Sequence, residues 1–256
     1  MENDKRLVFG IHPVLELLKG SAGDVAEVLL VSGAEGAGAK MVNEAARQCG
    51  VAVSHVHSRL MDEMAGGKKH QGVMAQVRGS WILRMPDLLQ RLVPGRAQEW
   101  ILILDGLTDP RNFGALLRTA EAVGIEHIVI PKDRAVGVTP TVVKASAGAV
   151  HHLKIYQATN LRRAMVSLKE HGYWMVGLDL QSRASIYEKA FPDKLGIILG
   201  GEGQGIRPLI LKECDFHVSI PMAGKIASLN VAVAGAVFLY ELVRQSKPLT
   251  KPGTKR

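Results

Sequence analysis

The segment Ser219-Ile-Pro-Met-Ala-Gly-Lys-Ile-Ala-Ser-Leu-Asn-Val-Ala-Val-Ala234 concentrates more usable chemistry than any other in the chain. An apolar strand end at Val218 and Ile220 meets Pro221, whose fixed φ and missing N–H stop the strand. A loop of small residues follows, and Ser228 is placed to cap a helix running to about Arg244. Ala227, Ala232, Ala234, Gly235 and Ala236 let that helix pack closely. Backbone amides and carbonyls beside a helix N-terminus suit a polar cofactor, and Ser228 and Asn230 stand next to them. Just upstream, glycines at 200, 201, 203 and 205 surround Glu202 and let a loop approach a ligand without Cβ clashes. Taken alone, Glu202 reads as an ordinary surface carboxylate. A third segment, Asp105-Gly-Leu-Thr-Asp-Pro-Arg-Asn-Phe-Gly-Ala-Leu-Leu-Arg118, turns from a strand into a helix begun at Pro110 and Asn112. Arg118 lies more than one and a half turns beyond Asn112, so each can reach a substrate from its own edge. By themselves they read as a helix cap and a solvated or ion-paired cation.

Two rival glycine patterns fail. A dinucleotide fingerprint would need glycine at 206, which is Ile206, and a P-loop would need Lys-Ser/Thr where Ile206-Arg207 stands. The three segments instead resemble, in order, the three motifs of the SpoU/TrmH family of RNA ribose 2′-O-methyltransferases. Asn112-x-Gly114-x-x-x-Arg118 matches the first, Gly200-x-Glu202-x-x-Gly205 the second and Ser228-Leu229-Asn230 the third. Ala232 departs from a serine that the family often carries there.

The resemblance spans most of residues 100–245. It implies the SPOUT α/β fold, a mostly parallel sheet whose C-terminal segment is threaded as a deep trefoil knot, a rare exception to ordinary connectivity. It implies S-adenosylmethionine as cofactor, held at Gly200, Gly201, Gly205, Ile220, Met222 and Leu229, and catalytic roles for Asn112, Arg118, Glu202, Ser228 and Asn230. It also implies a homodimer, because active sites of this kind are completed at a subunit interface. The reaction so implied moves a methyl group from a sulfonium to a ribose hydroxyl. Such a donor needs orientation and proton removal more than bond polarisation. Arg118 is then either the activating base or a clamp on the neighbouring phosphate that stabilises the developing alkoxide. A guanidinium is not deprotonated at neutral pH, which favours the clamp. No metal is needed.

Stepping outward along the chain, Gly10-x-His-Pro-Val-Leu-Glu16 and His70-Gln-Gly-Val-Met-Ala75 resemble the small ribosomal-protein-like α/β domain in front of the family's large-subunit rRNA enzymes. That implies a guanosine of 23S rRNA as target, with Lys68, Lys69, His70, Arg78 and Arg111 as RNA contacts. Phosphate contacts position RNA without specifying it, and a charge run alone is usually a solvated turn. A tRNA ribose methyltransferase and a non-catalytic RNA-binding assembly factor are the alternatives.

Element signals give four parts: a small α/β unit at 1–78, a linker at 79–98 rich in turn formers, an alternating α/β unit at 99–246, and a disordered basic tail at 247–256; the resemblance makes the first the RNA-binding domain and the third the methyltransferase domain. In the first part a helix opens at Pro13, a strand covers Val25–Val31, a helix runs from Ala39 to Cys49, and Ser58 caps a short helix. Beyond residue 99, apolar strands alternate with helices, the pattern of a parallel sheet covered on both faces. The net charge of +8 over 256 residues favours an anionic partner. Cys49 and Cys214 form no disulfide framework, Met1–Arg6 carries no signal-peptide pattern, and the longest wholly apolar run, Val231–Tyr240, falls well short of a membrane span. A cytoplasmic protein is expected. His55 and His57 share a strand face but lack the further ligands of a metal site.

Overall fold

The computed structural model describes residues 6–33, 36–67, 69–78, 81–92, 99–226 and 228–246. The chain divides into two compact units, Met1–Trp81 with Val138–His152, and Ile82–Gly137 with Leu153–Arg256.

The first unit runs β1 (Arg6–Phe9), α1 (Ile11–Ser21), β2 (Val25–Val31), α2 (Ala37–Gln48), β3 (Val53–Val56), α3 (Ser58–Ala65) and β4 (Val73–Val77). The sheet order is β1-β4-β2-β3, with β4 antiparallel to both neighbours and β2 parallel to β3. Alternation along β2 divides its side chains between two cores. Val28 and Leu30 join Val14, Leu17 and Val42, while Leu29 faces Met61 and Met74. β1 is missing from the sequence reading because its four residues run straight into the helix signal of Pro13. The helix in fact begins at Ile11, held by Gln71, whose Oε1 accepts the Ile11 N–H at 3.2 Å. Ser58 does not cap α3. The cap position is His57, and the Ser58 hydroxyl donates to Asp62 instead.

The second unit runs β5 (Ile82–Arg84), α4 (Met85–Leu89), β6 (Glu99–Asp105), α5 (Pro110–Ala122), β7 (His127–Pro131), then, after α6 (Pro140–Ala145), β8 (Lys154–Ala158), α7 (Leu161–Glu170), β9 (Trp174–Leu178), β10 (Lys194–Gly200), α8 (Pro208–Leu211), β11 (Phe216–Val218) and α9 (Val231–Gln245). Its seven strands lie in the order β11-β9-β10-β6-β7-β8-β5, and every pair is parallel. β6 sits in the middle and is buried along its whole length, as a parallel strand covered on both faces must be. From β6 the chain builds outward through β7 and β8, and the later strands fill the other side. The order therefore reverses between β6 and β10, where ligands of open α/β sheets bind beyond the strand ends. On one face Ile101, Ile103, Val129, Tyr156, Met165 and Ile198 form a continuous core. On the other α9 packs against α5. A Cβ on Gly235 would stand 2.4 Å from Leu116 Cδ2 and 2.8 Å from Leu199 Cδ1, so any larger residue would force both leucine tips to move.

Two boundaries differ from the sequence reading. Residues 82–89, read as linker, form β5 and α4; Ile82 pairs with Ile155 and Leu88 is fully buried. A three-residue strand beside Pro86 is too short to show periodicity. Residues 138–152, read as part of the catalytic domain, cluster with the first unit, where the His152 ring lies against Gly20 and the His151 ring is 5.1 Å from Trp81. Of the other linker residues, 79–80 and 93–98, like the tail 247–256, lie outside the described residues. Among the described residues no helix is long and apolar enough to cross a membrane.

Candidate active site

The site is assembled at the carboxyl ends of β6, β10, β9 and β11. Asp105 ends β6 with its carboxylate buried, and a buried carboxylate needs partners. It finds them in Arg207: the backbone N–H at 2.9 Å, Nε at 2.7 Å and Nη2 at 2.6 Å. This tie binds the first motif to the far end of the glycine loop. The near end is bound by the Gly201 N–H, which donates to the Asp105 carbonyl at 2.8 Å. The glycines are therefore packing residues as much as hinges. A Cβ on Gly201 would lie 2.2 Å from the Gly106 carbonyl oxygen, and one on Gly200 2.0 Å from the Gly205 carbonyl carbon. Gly203 and Gly205, at φ +81° and +64°, supply the turn that closes the loop.

Asp109 caps α5 by accepting the Arg111 N–H at 2.7 Å, which frees Asn112 for another role. The Asn112 amide donates to the Asp109 carboxylate at 3.3 Å and to Glu202, and its Oδ1 accepts from Asn230 Nδ2 at 3.0 Å. Ionised carboxylates only accept, so these two neighbours fix which way the amide points. Asn230 in turn accepts the Ala232 and Val233 N–H groups at 2.9 and 3.3 Å. The dipole of α9 thus reaches through two amides to two carboxylates. One residue from each motif meets here, across sequence separations of 90 and 118 residues.

Asn230, not Ser228, caps α9, and the helix starts at Val231. An Asn with both nearby N–H groups in reach satisfies two orphan donors, which leaves Ser228 exposed in the loop. Ser228 still lines a cavity of about 350 Å³, together with the glycine loop, Ile220, Met222 and Leu229, Leu178 at the end of β9 and Leu180 just beyond it. Of the small residues expected beside α9, Ala227 lies outside the described residues.

Arg118 is exposed on α5 and makes no hydrogen bond or ion pair with the described residues, so the structure does not join it to Asn112. Arg111 and Lys69 are likewise exposed. Two of the expected RNA contacts are occupied elsewhere. The His70 Nδ1 accepts the Gly72 N–H at 3.0 Å, so Nε2 carries the proton towards Asp62 at 2.8 Å, and the ring holds its turn together. Arg78 donates to the Gly23 carbonyl at 3.0 Å. Lys68 lies outside the described residues. Asp105, Asp109 and Arg207 escaped the sequence reading. A carboxylate closing a fully apolar strand was the available signal for Asp105, whereas Arg207 is found only once the glycine loop folds back.

Residues 99–240 match the model of the SpoU rRNA methylase family, and residues 7–80 match that of RNA 2′-O ribose methyltransferase substrate binding. The 23S rRNA (guanosine-2′-O-)-methyltransferase RlmB of Shewanella oneidensis is 39% identical over 94% of this chain and 98% of its own. RlmB of Escherichia coli is 36% identical over 93% and 98%. Among solved structures, the SpoU methyltransferase AviRb of Streptomyces viridochromogenes, in complex with AdoMet, superimposes with a TM-score of 0.78 at 25% identity over 94% of this chain and 90% of that one. An AdoMet-bound rRNA methyltransferase of Sinorhizobium meliloti shares the fold, with a TM-score of 0.75 at 19% identity over 96% and 89%.

Proposed function

The chain belongs to the SpoU rRNA methylase family, and on that premise we propose that it transfers a methyl group from S-adenosylmethionine to the ribose 2′-hydroxyl of a guanosine in 23S rRNA. The observation that carries this reading is the Asn112–Glu202–Asn230 network, which draws all three motifs to the rim of one cavity. The cavity fits the cofactor's chemistry: apolar Leu178, Ile220, Met222 and Leu229 suit a nucleobase, and the close-packed glycine backbone offers N–H and C=O groups to its polar edge. When bound, S-adenosylmethionine supplies an electrophilic sulfonium methyl.

The chain's own residues do the positioning. Asn112 has both amide hydrogens committed, which makes it the brace of the site rather than a free substrate ligand. It holds the glycine loop and the α9 entry at fixed separation, and such preorganisation is worth several kcal/mol when two reactants must align. Glu202, exposed at the rim, keeps one carboxylate oxygen available to the incoming hydroxyl. Arg118, uncommitted to any described partner, clamps the RNA phosphate and stabilises charge developing on the 2′-oxygen.

We assign RNA holding to the first unit, with the exposed Lys69 among its cations, and cytoplasmic residence to an enzyme acting on ribosomal RNA. A homodimer is supported by Val233 and Tyr240, apolar and exposed on α9, and light scattering at micromolar concentration reads it. The knotted threading is supported by the crossover 179–193. Through Ala184 and Ile186 it bonds to Ser219 on both sides of that residue, and the Ile186 carbonyl also accepts from Gln245. Mapping 2′-O-methyl positions on 23S rRNA from a deletion strain tests the reading. Loss of one guanosine methyl supports it, and an unchanged map removes it.

A further inference from the structure

The carboxyl edge of the large sheet continues past the network onto β7 and the loop that leaves it. Residues 132–137 are fixed on both sides: the Lys132 N–H donates to the Ala158 carbonyl at 2.9 Å and the Val136 N–H to the Leu107 carbonyl at 2.9 Å. The second bond ties the loop to the turn that opens the first motif. Gly106 sits in that turn at φ +77°, and a Cβ there would be 4.0 Å from the Arg134 carbonyl oxygen.

Arg134 itself has φ +57°. A long side chain rarely occupies the left-handed region, and such strain persists where the surroundings over-determine it, most often at functional sites. Lys132 and Arg134 are exposed, and neither side chain has a hydrogen bond or ion pair among the described residues. Asp133 between them leaves the loop with one net positive charge, and exposed Arg111 on the first turn of α5 adds another.

Position gives these charges their meaning. Reading across the strand ends, the cavity lies at β11, β9 and β10, the network bridges β10 and β6, and the basic loop follows at β7, about 5 Å further along. The cofactor side is thus flanked by glycine and apolar groups and the opposite side by unpaired cations. We propose that Lys132 and Arg134, with Arg111, form a phosphate guide that grips the RNA backbone beside the target ribose and sets its approach to the network. The inference rests on the ribose methylation reading and adds the direction in which the strand lies. Two guanidiniums and an ammonium suit phosphate oxygens, which position a strand without reading its bases.

The test is the double variant Lys132→Ala/Arg134→Gly in the full chain. Glycine takes φ +57° without strain, so the loop keeps its shape while losing both charges. On a 23S rRNA fragment, affinity at physiological salt falls at least tenfold, and the slope of log affinity against log salt becomes shallower by about 1.5, the share of two phosphates on a single strand. S-adenosylhomocysteine affinity by calorimetry stays within twofold. Arg134→Lys keeps its charge and restores most of the slope. The control Arg163→Ala/Lys212→Ala removes two exposed cations from α7 and the end of α8 and loses far less affinity. A double variant with wild-type affinity and slope, or a control that loses as much, overturns the guide while leaving ribose methylation standing. A wild-type chain that neither binds nor methylates the fragment overturns both.

Discussion

Gly201→Ala is a sharp perturbation of the site, because one methyl group is driven into backbone. Its Cβ would lie 2.2 Å from the Gly106 carbonyl oxygen and 2.8 Å from the Gly106 carbonyl carbon. Carbon and carbonyl oxygen approach no closer than about 3.3 Å, so the loops must part by about 1 Å. The Gly201–Asp105 backbone hydrogen bond, now 2.8 Å, is then stretched beyond use. Losing it costs about 1 kcal/mol, and forced overpacking adds about 1–3 kcal/mol. The sum, about 2–4 kcal/mol, lowers Tm by about 5–15 °C in a unit of this size. Gly203→Ala is the matched contrast. No atom lies within 4 Å of its Cβ, and only φ +81° opposes it, which costs about 1–2 kcal/mol. Scanning fluorimetry reads both shifts, and calorimetry with S-adenosylhomocysteine shows the larger loss of binding for Gly201→Ala. A Gly201→Ala protein with wild-type Tm and affinity, or one less impaired than Gly203→Ala, would refute the close-packed loop.

Arg118→Ala abolishes methyl transfer in single turnover while donor affinity stays within about threefold, since Arg118 lies on α5 and does not line the cavity; proportional loss of donor binding would make it a cofactor residue. Arg118→Lys rescues little, because an ammonium lacks the planar fork. Asn230→Ala removes the α9 cap and the brace on Asn112 together, costing about 0.5–2 kcal/mol of stability and a larger factor in kcat than Ser228→Ala; equal effects would return the capping role to Ser228. Burial pushes the Cys214 thiol up to about 12, so at pH 8 iodoacetamide labels exposed Cys49 in the native protein and Cys214 only after unfolding. A folded value raised from 9.0 also means this group's contribution to stability is lost as pH rises from about 9 towards 12.

The three motifs were legible because each combines residue types that a strand-to-helix turn requires, and their order gave the family. Their meeting was not. That Asn112 spends its donors on Asp109 and Glu202 depends on bringing β10 beside β6, and no spacing along the chain encodes that neighbourhood. Capping was misread at α9 because Ser228 and Asn230 are both good caps two residues apart, and tertiary contact with Asn112 decides between them. His70 follows two lysines and so reads as an RNA contact, yet the turn through Gln71 at φ +53° takes both ring nitrogens. Residues 138–152 carried ordinary helix signals, and nothing local could tell that α6 lies beside β1 and the segment clusters with the first unit.

Reconstitution decides whether the methyl group reaches a guanosine 2′-oxygen. The purified full chain is incubated with S-adenosylmethionine carrying a labelled methyl and with unmodified 23S rRNA, and the digested nucleosides are resolved by mass spectrometry. Label is expected in 2′-O-methylguanosine alone, at one position, and none with Arg118→Ala. Label on a base, or transfer to tRNA but not to 23S rRNA, would contradict it.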